Sequence, residues 1–235
     1  MIWGNHGVKR HMCGRYVSGD MTWQQYHDWL TGDAAPPPPE VEQSRHWNIP
    51  PTAMAPIAII ANGTRRMVMA RWGLVPAWWQ KPLSEMRFST FNARSEQAAA
   101  KPFFRDAMKH AHCLVPALGY YEWQGPKEAR QPWYIRADTN QPGLCFAGLW
   151  SRVKLADFQG YTFSILTRDA TPPIAHLHQR QPVMLDAEAY QGWLAGEALE
   201  TLPQIAPERL RFHKVAKAVG SIRNDGPELI EAVAA

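Results

Sequence analysis

Residues 113–123 read CLVPALGYYEW. Two apolar, aromatic-rich runs, 113–116 and 120–123, lie on either side of a glycine-containing step, the signature of short strands joined by turns. Further runs of the same kind cover 133–137, 144–150, 161–167, 182–185 and 210–215, separated by turns rich in Gly, Pro, Asn and Asp. Toward the N-terminus, 55–61 and 66–72 form a pair of strands with Asn62-Gly63 between them, a hairpin signal. Helices are fewer. Trp23, Tyr26 and Leu30 fall at helical spacing within 21–30, and Gly32 is placed to stop that helix. Segments 95–100 and 102–110 read as short helices, with Pro102 tolerated in a first turn. Asp186 caps a helix running to about Ala195, ended by Gly196. Pro76 and Pro82 keep 73–83 irregular, and the tetrad Pro36–Pro39 makes 32–44 a surface loop. Many strands with three or four helices, lacking regular βαβ alternation, predict an α+β fold. Its core is a curved, mostly antiparallel β-sheet or barrel with a few peripheral helices.

A chain of 235 residues suits one domain or two small ones. No internal repeat is present and no spacing marks a domain boundary, so residues 13–235 read as a single domain preceded by an extension, 1–12. Apolar residues make up 46% and charged residues 20%, values that exclude a disordered or fibrous chain. No apolar run reaches the ~18 residues of a membrane helix, and the first twelve residues lack a secretory core. The expected location is cytoplasmic, with no membrane partner. Three cysteines, Cys13, Cys113 and Cys145, suggest reduced thiols and not a disulfide framework.

The net charge of +4 is unevenly distributed. From Thr64 to Lys109 there are nine Lys/Arg and three Asp/Glu, a net +6, leaving −2 for the remainder. The same segment holds Trp72, Trp78, Trp79, Phe88, Phe91, Phe103 and Phe104. Cations interleaved with aromatics suit single-stranded nucleic acid, cations facing phosphates and rings stacking on bases. A core with a solvated basic rim gives the same composition.

Several residues could carry chemistry. Cys13 follows a methionine that can itself initiate translation, and removal of Met12 would leave a terminal 1,2-aminothiol. Its α-amine, with an ordinary pKa near 8, can add to an aldehyde, and its thiol can then close a thiazolidine. A buried, inert cysteine is the alternative. Asn92 and Arg94 sit in FNARSE, Glu122 in GYYEW, and His178 and Arg180 in HLHQRQP. A carboxyl among aromatics suits proton transfer through a raised pKa, although alternation alone makes Glu122 an outward-facing strand residue. His178 could equally be a hydrogen-bonded structural histidine, and Arg94 an ion-pair partner. His176-x-His178 and His110-x-His112-Cys113 have ligand-like spacings, but no CxxC, HExxH or carboxylate cluster supports a metal. Phosphate-binding loops and GxSxG are absent. No cofactor and no metal are expected.

Taken together, MCGR at 12–15, WGLVPAWW at 72–79, FNARSE at 91–96, CLVPALGYYEW at 113–123, AGLW at 147–150, ILT at 165–167, HQRQP at 178–182 and VAKAVGSIRNDGPELI at 215–230 closely resemble the SOS response-associated peptidase (SRAP) family of abasic-site processing proteins. The ordered motifs span nearly all of the chain after Met12. The resemblance implies an SRAP-like α+β domain that binds single-stranded DNA and cross-links covalently to an abasic site, shielding the lesion during the SOS response. It also implies N-terminal self-processing and an AP-lyase activity. Carried over by position, Cys13 supplies both nucleophiles. Asn92 orients the terminal residue and opened sugar, Glu122 shuttles protons, and His178 protonates the deoxyribose ring oxygen. Arg15, Arg94 and Arg180 hold phosphates, Pro51, Trp78 and Trp79 form an apolar wedge, and Thr167 contacts the backbone near the site. The partner is single-stranded DNA containing abasic sites, met by a monomer that is nucleoid-associated when bound to damage.

Two departures stand out. The family places Met where this chain has Gln181, a change expected to tune packing. With residues 1–12 attached, Cys13 carries an amide nitrogen and the aminothiol chemistry is closed, so translation from Met12 or proteolytic removal is expected. A thiol peptidase acting on protein substrates and a noncatalytic single-stranded DNA-binding protein remain the alternatives.

Overall fold

The computed structural model describes residues 14–32 and 46–233; Cys13 and all but Gly32 of the proline-rich loop lie outside them. Its strands and helices, in chain order, are β1 (Tyr16–Val17), α1 (Trp23–Thr31), β2 (Met54–Ala61), β3 (Thr64–Trp72), β4 (Asn92–Arg94), α2 (Ser95–Ala98), α3 (Arg105–His110), β5 (His112–Ala117), β6 (Gly119–Gln124), β7 (Gln131–Ala137), β8 (Leu144–Lys154), β9 (Gln159–Asp169), α4 (Pro172–Ala175), β10 (Arg180–Pro182), β11 (Met184–Leu185), α5 (Tyr190–Ala195) and β12 (Leu210–Lys214). The expected α+β architecture is present.

The larger sheet closes on itself through the pairings β9–β3, β3–β2, β2–β5, β5–β8 and β8–β9, a five-stranded barrel. Most pairings are antiparallel; β3 and β4 both join β9 in parallel. The β2–β3 hairpin turns at Asn62 and Gly63, whose φ values of 53° and 74° are the left-handed pair of a type I′ turn. Ile57, Ile59, Trp72, Val115, Phe146, Phe163 and Ile165 fill the barrel. A second sheet, β1–β6–β7–β12, contributes Tyr16, Tyr120 and Ile135 to the same cluster, so both sheets share one core. An outer cluster, including Trp23, Tyr26 and Leu30 of α1 and Trp193 of α5, covers the other barrel face.

Barrel closure needs a glycine at Gly148, which pairs with Cys113 on one side and Ile165 on the other. A Cβ there would stand 2.7 Å from Cys113 Sγ, 2.9 Å from Val115 Cγ2 and 3.1 Å from the Ser164 carbonyl. None of these can retreat without displacing a barrel wall. Gly148→Ala is expected to cost about 1–3 kcal/mol, lowering Tm by several degrees. An unchanged melting curve would refute this.

Several sequence expectations need revision. The run 182–185 is two strands, 95–100 is helical only to Ala98, and 102–110 only from Arg105. The segment following Asp186 begins as a short 3₁₀ turn before α5. The described residues hold five α-helices, not three or four, because α4 was not anticipated.

Candidate active site

The aromatic loop 88–91, strand β4, residues 101–104 and the turn 178–180 enclose a cleft of about 670 Å³. Strand β4 is the pivotal wall. It has no local strand signal beyond three residues and exists because it docks parallel to β9, setting Asn92, Ala93 and Arg94 beside Ile165, Leu166 and Thr167. Ala93 packs with Leu166 in the outer core cluster. Strand alternation therefore sends Asn92 and Arg94 to the opposite side, where both line the cleft and Arg94 is exposed.

The opposing wall follows α4. The His178 amide donates to the Ile174 carbonyl at 3.3 Å, holding the turn against the helix. His178 Nδ1 lies 3.1 Å from the Arg180 amide nitrogen and 3.2 Å from the Arg180 carbonyl oxygen, so the imidazole is held against its own turn through Nδ1. Gln181 accepts from the Thr171 amide at 2.7 Å and the Thr171 hydroxyl at 2.9 Å. The residue that departs from the family pattern thus ties the start of α4 to β10 by hydrogen bonds as well as by packing.

Arg180 lines the cleft but its guanidinium is buried and already engaged. It contacts Glu96 at 2.6 Å and Asp169 at 2.6 Å, and donates to the Thr167 carbonyl at 2.7 Å. Burial opposes its charge, yet the bonds to Glu96 and Asp169 outweigh it and raise the Arg180 pKa. Burial likewise pushes the Glu96 carboxyl up, but the Arg180 hydrogen bond wins and holds it below its usual value. Thr167 is fully buried, its hydroxyl donating to the Ala93 carbonyl at 3.3 Å. The structure therefore places Thr167 and Arg180 as braces of β4, while Arg94 and Lys101 are exposed cations on the rim.

Glu122 lies on β6 and is 4% exposed, so the outward-facing reading is overturned. It shares a strand face with Tyr120 and sits opposite Trp133. Trp133 Nε1 donates to Gln124 at 3.2 Å, and Gln124 donates to the His176 carbonyl at 3.2 Å. These two bonds couple the strand carrying Glu122 to the turn carrying His178. On the other side of β6, Tyr16 pairs with Tyr120, and the Tyr121 amide donates to the Arg15 carbonyl at 3.0 Å. Continuing that antiparallel register one residue sets Gly14 across from Glu122.

Arg15 is half-buried, and burial lowers its pKa. Its guanidinium donates to Asn48 Oδ1 at 3.0 Å and the Val219 carbonyl at 3.0 Å. It also lines a second hollow with Gly14, Trp123, Arg130 and Lys217.

Trp78 is 48% exposed and Phe88 58%. Their rings flank Phe103 at 5.5 Å and 4.6 Å, and Trp79 approaches Phe103 at 6.4 Å, making one aromatic rim. Pro51 lies in the turn 50–53, closed by the Ala53 amide on the Pro50 carbonyl. Thr52 in that turn has φ 75°, a costly conformation for a β-branched residue. The contiguous basic segment is not one surface: Arg65 donates to the Leu30 carbonyl and Arg71 to the Gly73 carbonyl.

Among the described residues no cluster of His, Cys, Asp and Glu could hold a metal. His112 is buried, stacked on Trp193 at 3.9 Å, with its nitrogens 2.9 Å and 2.8 Å from the Trp193 and Met108 carbonyls. Cys113 and Cys145 are buried, and burial raises both thiols, Cys145 to about 12. Among these residues no helix is long and apolar enough to cross a membrane.

A β-barrel protein with a polar, aromatic-rimmed cleft is the class these features define. The chain belongs to the SOS response associated peptidase (SRAP) family, whose sequence profile matches residues 12–222. Among its relatives, the abasic site processing protein HMCES of Gallus gallus is 33% identical over 198 residues, covering 72% of this chain and 59% of that protein. The abasic site processing protein YedK of Escherichia coli is 27% identical over 230 residues, covering 94% of this chain and all of that one. A crystal structure of a protein from Bordetella bronchiseptica superposes with a TM-score of 0.70 at 27% identity, covering 87% of this chain and 100% of that chain.

Proposed function

We propose that this protein processes abasic sites by binding single-stranded DNA and capturing the lesion covalently through Cys13. The observation that carries the reading is that Asn92, Arg94 and His178 line one cleft, while the register of β1 on β6 sets Gly14, next to the cysteine in sequence, across from buried Glu122, whose strand bonds through Gln124 to the His176 carbonyl two residues before His178. Relatives named as abasic site processing proteins support it.

An abasic site exists mostly as a closed hemiacetal. In its imidazolium form His178 gives a proton to the ring oxygen as the C1′–ring-oxygen bond breaks, and the C1′ hydroxyl passes its proton to water, opening the sugar to its C1′ aldehyde. The Cys13 α-amine adds to C1′ to give a carbinolamine. Glu122 donates a proton to the departing hydroxyl and accepts one from nitrogen, so water leaves and an imine remains. The Cys13 thiol then adds to the imine carbon, its proton passing to nitrogen, and a thiazolidine closes. Asn92 orients the opened sugar. Residues 1–12 must be released before the amine exists; hydrolysis of the imine or β-elimination from it accounts for reversal and for lyase activity. Acting as a monomer, one molecule shields one lesion and travels with the damaged nucleoid.

Lesion recognition needs no base-edge readout, since phosphate contacts and stacking suffice. Arg94 supplies an exposed cation in the cleft beside Lys101, with Arg15 and Arg180 shaping the phosphate track. Trp78, Trp79 and Pro51 serve as the wedge against neighbouring bases, and Thr167 supports the backbone contact through β4. Arg94→Ala is expected to weaken noncovalent binding across sequences and to reduce the salt slope by about one charge. Fluorescence anisotropy at several salt concentrations checks it, and an unchanged slope would contradict the assignment.

The test of the whole reading is incubation of the purified protein with a single-stranded oligonucleotide bearing one abasic site. A heat-stable conjugate with the mass of protein plus DNA minus water is expected; its absence with protein whose intact mass begins at Cys13 overturns the proposal. Cleavage of peptides in a second molecule without DNA would favour the thiol peptidase instead. Cys113 and Cys145 are both core residues with raised thiol pKa values, so neither offers such an enzyme its nucleophile.

A further inference from the structure

Asn48 is 3% exposed, and its side chain joins Arg15 to the segment 219–224. Its two Nδ2 hydrogens are shared among the Val219 carbonyl at 3.1 Å, the Ser221 carbonyl at 3.0 Å and the Asn224 carbonyl at 2.9 Å. Its Oδ1 receives Arg15 Nη1 at 3.0 Å. Arg15 also donates from Nη1 to the Val219 carbonyl at 3.0 Å. One buried amide thus binds both the segment 219–224 and the residue two places after Cys13.

Neighbouring bonds hold the same three pieces in register. The Ile49 amide donates to the Tyr16 carbonyl at 2.9 Å. Asp225 receives the Trp47 amide at 2.5 Å and faces His46 Nδ1 at 2.7 Å. Tyr121 Oη donates to the Trp47 carbonyl at 2.8 Å, returning to the strand that carries Glu122. An N-terminal nucleophile has chain on one side only, so its position depends on what fixes the residues just after it. Here β1 is two residues long, and outward of it Arg15 is held by the Tyr121 amide on its carbonyl and by its side chain's bonds to Asn48 and Val219.

We propose that Asn48 is a positioning residue for the reacting terminus: by gripping Arg15 and residues 219–224 together, it sets where the chain ahead of β1 meets Glu122. The proposal rests on the abasic-site reading above. Binding of DNA does not require Asn48; attack on C1′ does, because misplacement by about an ångström is enough to cost up to ~10²-fold in rate.

The experiment measures conjugation under single-turnover conditions against DNA concentration for the wild type, Asn48→Ala, Asn48→Ser, Arg15→Ala and the Asn48→Ala/Arg15→Ala double variant. Backbone hydrogen exchange is recorded for the same set. The expected result is a maximal rate lowered about tenfold in Asn48→Ala, with the half-saturating DNA concentration unchanged and a smaller loss in Asn48→Ser. The double variant should be no slower than Arg15→Ala alone, since Asn48 reaches the terminus through Arg15. Exchange should rise at residues 14–17 while β2 and β5 stay protected. A rate loss that only tracks the folded fraction, additive effects of the two substitutions, or unaltered exchange at 14–17 would overturn the assignment. A wild type that forms no conjugate overturns the abasic-site reading together with it, whereas a normal wild type with an unaffected Asn48→Ala overturns the positioning role alone.

Discussion

Cys13→Ala should abolish the heat-stable conjugate while leaving noncovalent affinity for single-stranded DNA intact. Alanine keeps the α-amine, so an imine to C1′ can still form, but no thiol remains to close the ring. The imine hydrolyses on heating; borohydride should trap it as a secondary amine. Cys13→Ser separates the steps in the same way, its hydroxyl being a far poorer nucleophile than sulfur at neutral pH. Retaining residues 1–12 should have the stronger effect: an amide nitrogen cannot condense with an aldehyde, so neither the stable conjugate nor the borohydride-trapped product should appear. Three proteins on one gel therefore distinguish amine from thiol. A stable conjugate from Cys13→Ala would place the nucleophile elsewhere. Neither Cys113 nor Cys145 could replace it, because both are fully buried and pushed toward the neutral thiol.

The parts of the fold legible in sequence are those set by local chemistry. Asn62-Gly63 specifies its own hairpin because both residues accept a left-handed backbone. Helix α1 starts at Trp23 because Thr22 and Gln25 form a reciprocal capping box, and it stops at Gly32 with φ 69°. The run 182–185 is different. Pro182 pairs with Thr167 of β9, while Met184 pairs with Phe146 of β8, so the chain changes partner at Val183. Nothing in four consecutive apolar-rich residues announces a crossing between strands already bonded to each other. Strands β1 and β4 are short for the same reason: their partners make them strands.

The site divides similarly. The motifs around Asn92, Arg94, His178 and Arg180 drew attention to four residues that line one cleft. What they could not convey was which cations are free to meet a phosphate. Arg180 looks equivalent to Arg94 in sequence, yet it is buried between Glu96 and Asp169, whereas Arg94 is exposed. The mates lie 84 and 11 residues away, so no local pattern pairs them. Glu122 misled through alternation: its strand has cores on both faces, with Tyr121 in one cluster and Tyr120 in another, and a polar residue between aromatics has no solvent to face. Asn48 was silent, and Gln181 read only as a change of packing, because amide side chains take their meaning from the carbonyls and amides that tertiary structure brings to them.

That buried position makes Glu122→Gln the most informative substitution on β6. Glutamine preserves shape and can still hydrogen-bond, but it can neither give a proton to a departing hydroxyl nor take one from nitrogen. Conjugation should slow by ~10² or more, the usual worth of a positioned acid–base group, while affinity for single-stranded DNA is unchanged. The pH dependence of the rate carries the decisive information. A purely structural carboxylate would, on replacement, lower Tm and scale the rate equally at every pH. A proton shuttle would leave the folded protein intact and remove its own limb from the rate profile, flattening it. Reversal should slow in parallel, since the same group must serve the imine in both directions. Full conjugation rate in Glu122→Gln, or an unflattened profile with a lowered Tm, would assign the proton transfers to another group, and His178, across the Gln124–His176 link, would be the first to test.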